Sequence, residues 1–178
     1  MHITNTFEKV ATQENGVFKQ VDNKYKGDRG SFVYTSLYTL KCNYRDVTIT
    51  LKNELGHQNI GVISCQIKEQ PINCEFTIDT RSTFYQFFNR KQNILKLDIE
   101  NSQLKNFIEL NHSYTELNKR ARKDRFEPLI IGKNMNGKYV ISCEYHLVFD
   151  NKELVVSPFI KFFKALIDFF QDHRMRYN

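Results

Sequence analysis

The sequence contains no tryptophan, only seven glycines and three prolines among 178 residues, and no long uninterrupted apolar run. Phosphate-binding loops need glycines clustered before a helix, and the sequence offers no such cluster. The best candidate for a membrane span is interrupted by Lys161, Lys164 and Asp168, whereas a span needs roughly 18 consecutive apolar residues. The first residues lack the basic start and apolar stretch of a secretory signal. These absences predict a cytoplasmic protein.

Cysteines are few and are not arranged as a metal site. The four are Cys42, Cys65, Cys74 and Cys143. None belongs to a C-x-x-C pair, and no histidine lies at zinc-finger spacing from them. They lie in phase with the apolar residues of predicted strands, which is typical of buried free thiols. The sequence therefore predicts no disulfide framework, no metal and no cofactor.

Composition and charge are those of a globular protein. Charged residues make up 26% and hydrophobic residues 40% of the chain, and the length fits one domain with a core of its own. The net charge is +6 and the sequence pI about 9.1. Such an excess attracts nucleic acid or an anionic membrane surface, but it also serves solubility. Charge alone does not select a partner.

Alternating β-branched and aromatic residues predict strands in the first half of the chain. The predicted strands cover residues 31–42, 47–51, 60–68, 73–79 and 95–99, and a short helical turn is predicted at residues 82–88. Residues 16–30 form a mixed stretch that ends in a turn. Strands that follow one another in this way indicate an antiparallel sheet.

Residues 128–156 are predicted to form a three-stranded meander. Asn136-Gly137 is the favoured dipeptide of a type I′ turn. A two-residue loop there sets Ile130 opposite Cys143. Asp150-Asn151 resembles a second turn and predicts a third strand that ends near Val156.

Two helices complete the predicted fold. An amphipathic helix is expected over about residues 102–123, and a Phe-rich C-terminal helix over about residues 158–171 with Ser157 as its N-cap. The fold class is therefore α+β, a single domain in which these helices pack on a mostly antiparallel sheet. Residues 1–15 are interpreted as a polar N-terminal tail, either loose or a short helix that docks late, and residues 16–178 as the domain.

The C-terminal helix suggests an interaction surface. Its polar side chains form one narrow strip that includes Lys161, Lys164 and Asp168 and is expected to face water. The apolar residues are more numerous than one buried stripe requires, so part of them is predicted to contact a partner or a second copy. The residues of this predicted interaction surface are Phe159, Phe162, Phe163, Leu166, Phe169 and Phe170. This predicts a non-catalytic protein-interaction or structural domain that self-associates or binds another protein.

A second hypothesis rests on the basic residues. Two basic runs contain the predicted anion contacts, which are Lys119, Arg120, Arg122, Lys123, Arg125, Arg174 and Arg176. They favour peripheral binding to an anionic membrane or to nucleic acid. Both runs also lie at predicted helix C-termini, where cations interact favourably with the helix dipole. The sequence leaves both interpretations open.

The evidence for catalysis is weaker. Glu109, His112 and Glu116 follow the Glu-x-x-His spacing of di-iron helices, but such sites need a second copy, and the predicted helix face is polar. His146 has acidic neighbours but no recognisable nucleophile motif. The sequence therefore favours a non-catalytic protein and does not exclude an enzyme.

Overall fold

The computed structural model describes residues 3–26, 30–67, 74–81 and 93–174, without the side chains of residues 173 and 174. The helices are α1 (Ile3–Gln13), α2 (Ser102–Leu110), α3 (His112–Asp124) and α4 (Val156–Arg174). The strands are β1 (Val17–Lys26), β2 (Phe32–Tyr44), β3 (Val47–Leu55), β4 (Ile60–Ile67), β5 (Phe76–Thr80), β6 (Leu95–Ile99), β7 (Leu129–Met135) and β8 (Lys138–His146).

The eight strands form one sheet in the order β1-β2-β3-β4-β8-β7-β5-β6. Neighbouring strands are antiparallel throughout. The predicted α+β fold with an antiparallel sheet is therefore confirmed. The computed fold also has the predicted Phe-rich C-terminal helix.

Alternation along the strands gives the sheet two unlike faces. Leu51, Ile63 and Ile141 lie on the face that is fully buried, because α4 packs over β3 and β4 and α3 packs against α4. On the opposite face Thr50 and Ser64 lie side by side and are only half-buried. An antiparallel sheet with one apolar face and one polar face can keep the second in water.

The hairpin of β7 and β8 has the predicted turn and register. Asn136 and Gly137 both have positive φ angles, 51° and 76°, as a type I′ turn requires. Ile130 lies opposite Cys143. The local sequence therefore specified this hairpin correctly.

The third strand of the predicted meander does not form. Residues Lys152–Val155 make a 3-10 turn, and α4 follows at Val156. Asn151 adopts the left-handed conformation, with φ 54°. The reason lies in the sheet order: β7 pairs along one edge of β8 and β4 along the other. No edge of β8 is left for a third strand of the meander.

The predicted helix over residues 102–123 is two helices that meet at Asn111. This residue has extended φ and ψ angles of −75° and 126°, so it ends α2 and caps α3. Its Oδ1 accepts hydrogen bonds from the backbone N–H of Ser113 at 2.9 Å and of Tyr114 at 3.2 Å. An asparagine side chain that bonds nearby backbone competes with helix continuation, which explains the break.

The structure assigns regular elements to two N-terminal segments. Of the two forms predicted for residues 1–15, a loose tail or a short helix, it has the helix over Ile3–Gln13, which buries Phe7, Val10 and Ala11 in the core. The mixed stretch at residues 16–30 contains the ten-residue strand β1. The helical turn predicted at residues 82–88 lies outside the described residues.

Part of the polar strip of α4 forms contacts within the fold, although it was expected to face water. Lys161 is exposed, but Lys164 and Asp168 are half-buried. Lys164 pairs with Glu14, which follows α1. Asp168 accepts a hydrogen bond from the Tyr44 hydroxyl at 2.9 Å, at the end of β2. The strip therefore ties the helix to the sheet margin rather than facing water alone.

Candidate functional site

The predicted interaction surface on α4 is buried within the chain itself. Its six side chains, Phe159, Phe162, Phe163, Leu166, Phe169 and Phe170, are between 0 and 6% exposed. The ring of Phe159 stacks on Tyr145 with centroids 5.0 Å apart, and Phe170 contacts Tyr139 at 4.9 Å. Phe169 contacts Phe107 on α2 at 5.0 Å, and Phe162 contacts Tyr114 on α3 at 6.2 Å, so the six side chains pack against the neighbouring helices as well as the sheet. The apolar surface that suggested a partner at this helix is therefore covered by the protein's own fold.

None of the helices in the described ranges combines the length and the apolar character that a membrane span requires.

Of the basic residues around the end of α3, one forms an ion pair within the fold and the others are exposed. Lys119, Arg122, Lys123 and Arg125 are exposed, whereas Arg120 is half-buried. Arg120 pairs at 3.1 Å with the buried carboxylate of Asp124, which also accepts a hydrogen bond from Asn151 at 3.1 Å. Asp124 therefore links α3 to the turn before α4, and Arg120 pairs with its carboxylate.

Most of the second basic run lies outside the described residues. The backbone of Arg174 closes α4, but its side chain and the whole of Arg176 lie outside the described residues. Anion binding through the two runs stays a prediction.

The acidic and histidine residues on α2 and α3 do not converge. Glu109 and His112 fall on two different helices, because the break at Asn111 separates them. The His112 side chain is 82% exposed and lies 3.9 Å from Glu116. In the described part of the chain, no three His, Cys, Asp or Glu side chains are grouped as a metal site would need.

Among the described residues, the most exposed aromatic side chains lie at the far end of β1 and β2. The last residue of β3, Leu55, lies opposite Ser36. Residues 32–35 of β2 therefore continue beyond β3 and pair with residues 23–26 of β1. We call these two segments, 23–26 and 32–35, the outer hairpin.

Aromatic side chains lie on both faces of the outer hairpin. Phe32 is 52%, Tyr34 63% and Tyr25 55% exposed. Phe32 and Tyr34 share one face, and the Lys24 ammonium lies 4.0 and 5.3 Å from their ring centroids. Tyr25 lies on the other face, beside Val33. Exposed aromatic groups clustered in this way are typical of contact surfaces.

A depression of about 500 Å³ lies at the base of the outer hairpin. It is on the Tyr25 face, and Tyr25, Val33 and Leu37 give it an apolar lining. Glu54 and His57 contribute polar groups from β3 and from the β3–β4 turn. This depression can accept an apolar side chain and offers a carboxylate and an imidazole near it.

The β3–β4 turn is pressed against β2 and thereby borders the depression. Gly56 has a φ angle of 114°, and a Cβ atom there would lie 2.0 Å from the carbonyl oxygen of Tyr34. Only glycine fits at such a distance. The Asn59 side chain holds the turn by accepting a hydrogen bond from the Gly56 N–H at 3.0 Å. The depression is therefore built into the fold.

The sequence did contain a signal for the outer hairpin. In β2 the aromatic residues Phe32 and Tyr34 alternate with Val33, which is typical of a strand. In residues 16–30, Val17, Val21 and Tyr25 recur on one face but are separated by lysines and polar residues. This weak apolar period is why the strand was not recognised.

Comparison of the chain with models of protein families, with curated proteins and with solved structures found no match.

Proposed function

We propose that the protein is a non-catalytic interaction domain that binds a partner protein through the outer hairpin and the depression at its base. The observation that carries the proposal is the exposure of Tyr25, Phe32 and Tyr34, each more than half in solvent. Aromatic residues dominate the energetic centres of protein interfaces because they bury much apolar area with few rotatable bonds.

The rest of the fold supports the same role. α4, α3 and α1 cover one face of the sheet and leave the outer hairpin projecting beyond β3. The backbone of paired strands is already ordered before binding. Side chains on such strands therefore lose less conformational entropy when a partner binds. The interaction role predicted from sequence is thus retained in the proposal, with a different surface.

A cytoplasmic location belongs to the same proposal. All four cysteines are buried free thiols. Unpaired cysteines persist in a reducing compartment, whereas secreted domains commonly pair them. This is the support for the location.

Selection from a displayed random-peptide library tests the proposal. Peptides enriched by the wild-type protein are measured against the triple variant Tyr25→Ser, Phe32→Ser, Tyr34→Ser. We expect binding to weaken by about tenfold or more, the usual effect of removing interface hot spots. The control is Leu110→Ser with Val148→Ser, which alters two apolar residues elsewhere that are more exposed than the three aromatic residues.

The library outcome is decisive because all these side chains are exposed and the variants are expected to fold. Circular dichroism checks the fold of each variant. Enriched peptides that bind the triple variant as tightly as the wild type would contradict the proposal. So would a selection that yields no binding peptide at all.

A further inference from the structure

The edge of the sheet beside the outer hairpin is long and regular. β1 is the first strand in the sheet order, and all ten of its residues pair with β2 without interruption. In an antiparallel pair, alternate residues direct their N–H and C=O groups away from the partner strand. An uninterrupted edge of this kind is a template for another extended chain.

The charge on this edge selects the kind of chain that can pair with it. Residues 21–26 of β1 contain two lysines, Lys24 and Lys26, against one aspartate, a net charge of +1. That aspartate, Asp22, accepts hydrogen bonds from Ser36 at 2.6 Å and from Gln20 at 3.1 Å. These bonds lower the pKa of Asp22 and engage its carboxylate within the hairpin.

A second copy of the protein does not fit this edge well. It would bring the same net positive charge to the edge, which is less favourable than the opposite charge of an acidic segment. An acidic segment would instead place carboxylates beside Lys24 and Lys26. Charge complementarity therefore favours an acidic partner over self-association.

We propose that an extended acidic segment of a partner protein pairs with β1 along residues 21–26 as an additional strand. This rests on the proposed function and specifies its partner. α1 reaches β1 at Phe18 and Gln20, so the pairing is assigned to the other half of the strand. A neighbouring strand lies about 4.8 Å away, which brings one of its side chains beside Tyr25 and the depression.

Synthetic peptides test the backbone pairing directly. The probe is a nine-residue peptide in which Glu alternates with Val and Thr. One comparison peptide has Lys in place of Glu, and another carries two adjacent N-methylated residues at its centre. N-methylation removes backbone donors but keeps every side chain and charge. We expect the acidic peptide to bind about tenfold more tightly than either comparison peptide.

The location of binding is read from amide hydrogen exchange. The acidic peptide is expected to slow exchange of outward-facing amides in residues 21–26, because they gain hydrogen-bond partners. Lys24→Glu with Lys26→Glu is expected to weaken binding about tenfold, since exposed charge pairs each contribute modestly. The matched control, Lys105→Glu with Lys161→Glu, reverses two exposed lysines on α2 and α4 and should leave affinity unchanged.

The outcomes separate this inference from the proposed function. If the N-methylated peptide binds as well as its parent, attraction is only electrostatic and strand pairing is refuted. Dimerisation that is lost on changing β1 would also overturn the inference in favour of a second copy. If the library yields hairpin-dependent peptides that are uncharged and leave β1 exchange unaltered, the proposed function stands and this inference fails.

Discussion

The hydrogen bond between Tyr145 and Asn53 offers a sharp test of the core. The Tyr145 hydroxyl donates to the Asn53 side-chain oxygen at 2.7 Å, and both residues are almost completely buried. The side-chain amide nitrogen of Asn53 is buried and has no hydrogen-bond partner within the described part of the chain. Tyr145→Phe would remove the bond and leave the Asn53 oxygen without this donor.

The Tyr145 ring is held in place by its surroundings, so this substitution deletes little besides the hydroxyl. Gly61 lies directly opposite Tyr145, and a Cβ atom on Gly61 would lie 2.2 Å from the ring. On its other side the ring stacks on Phe159 at 5.0 Å. A buried acceptor left unpaired costs about 1–3 kcal/mol. We expect Tyr145→Phe to lower the free energy of unfolding by about 2 kcal/mol.

The double variant Tyr145→Phe with Asn53→Val is expected to be more stable than Tyr145→Phe alone. Replacing both partners by apolar groups is often nearly neutral, and it also removes the unpartnered amide nitrogen. We expect the double variant to recover at least about 1 kcal/mol of the loss. Urea unfolding followed by far-ultraviolet circular dichroism measures each free energy under reducing conditions.

Tyr38→Phe is the matched control, because no hydrogen bond of the Tyr38 hydroxyl is seen among the described residues. It should change the free energy of unfolding by less than about 0.5 kcal/mol. The reasoning would be refuted if the double variant were no more stable than Tyr145→Phe alone. The reasoning would also be refuted if Tyr145→Phe lowered the free energy of unfolding no more than Tyr38→Phe does.

Two further predictions concern ionisation of buried groups. Burial raises the pKa of Tyr114 to about 12 and also raises the pKa of Tyr139. Stability should therefore be unaffected below about pH 10 and fall as the pH rises toward 12, because the buried tyrosines ionise first in the unfolded chain. Phenolate absorbance that reached the value for all nine tyrosines before circular dichroism is lost would contradict this. Burial raises the pKa of Cys65 to about 12 and that of Cys143 well above its ordinary value. Both thiols should react with a disulfide reagent at least about a hundredfold faster in denaturant than in native protein, and equal rates would show that the thiols are accessible.

Local sequence determined those elements whose partners are close in the chain. The β7–β8 hairpin, with Ile130 opposite Cys143, follows from the Asn136-Gly137 turn and the alternation on either side. The sequence also predicted which residues of α4 are buried, because the helical period of its apolar residues depends only on the helix itself. β1 was missed since its outward lysines and polar residues weaken the apolar alternation that identifies a strand.

The candidate site was not accessible to sequence reasoning, because it depends on where neighbouring strands end. Alternation along the strand does not distinguish Tyr25, Phe32 and Tyr34 from buried strand residues. They lie in the part of the β1–β2 hairpin beyond Ser36, which faces Leu55 at the end of β3, and each is more than half exposed. In contrast, the helical pattern of the Phe-rich helix predicted a partner, whereas the sheet, α1 and α3 cover this helix within the fold.

The sequence by itself therefore determined which residues of each element are apolar, since the periods of helix and strand are local properties. Only the tertiary structure decided which apolar residues find cover within the chain. Pairing of β4 with β8 joins Ile60 to His146 across a long separation in sequence. Such contacts depend on the free energy of the whole fold, and they bury the phenylalanines of α4 while leaving the aromatic rings of the outer hairpin in solvent.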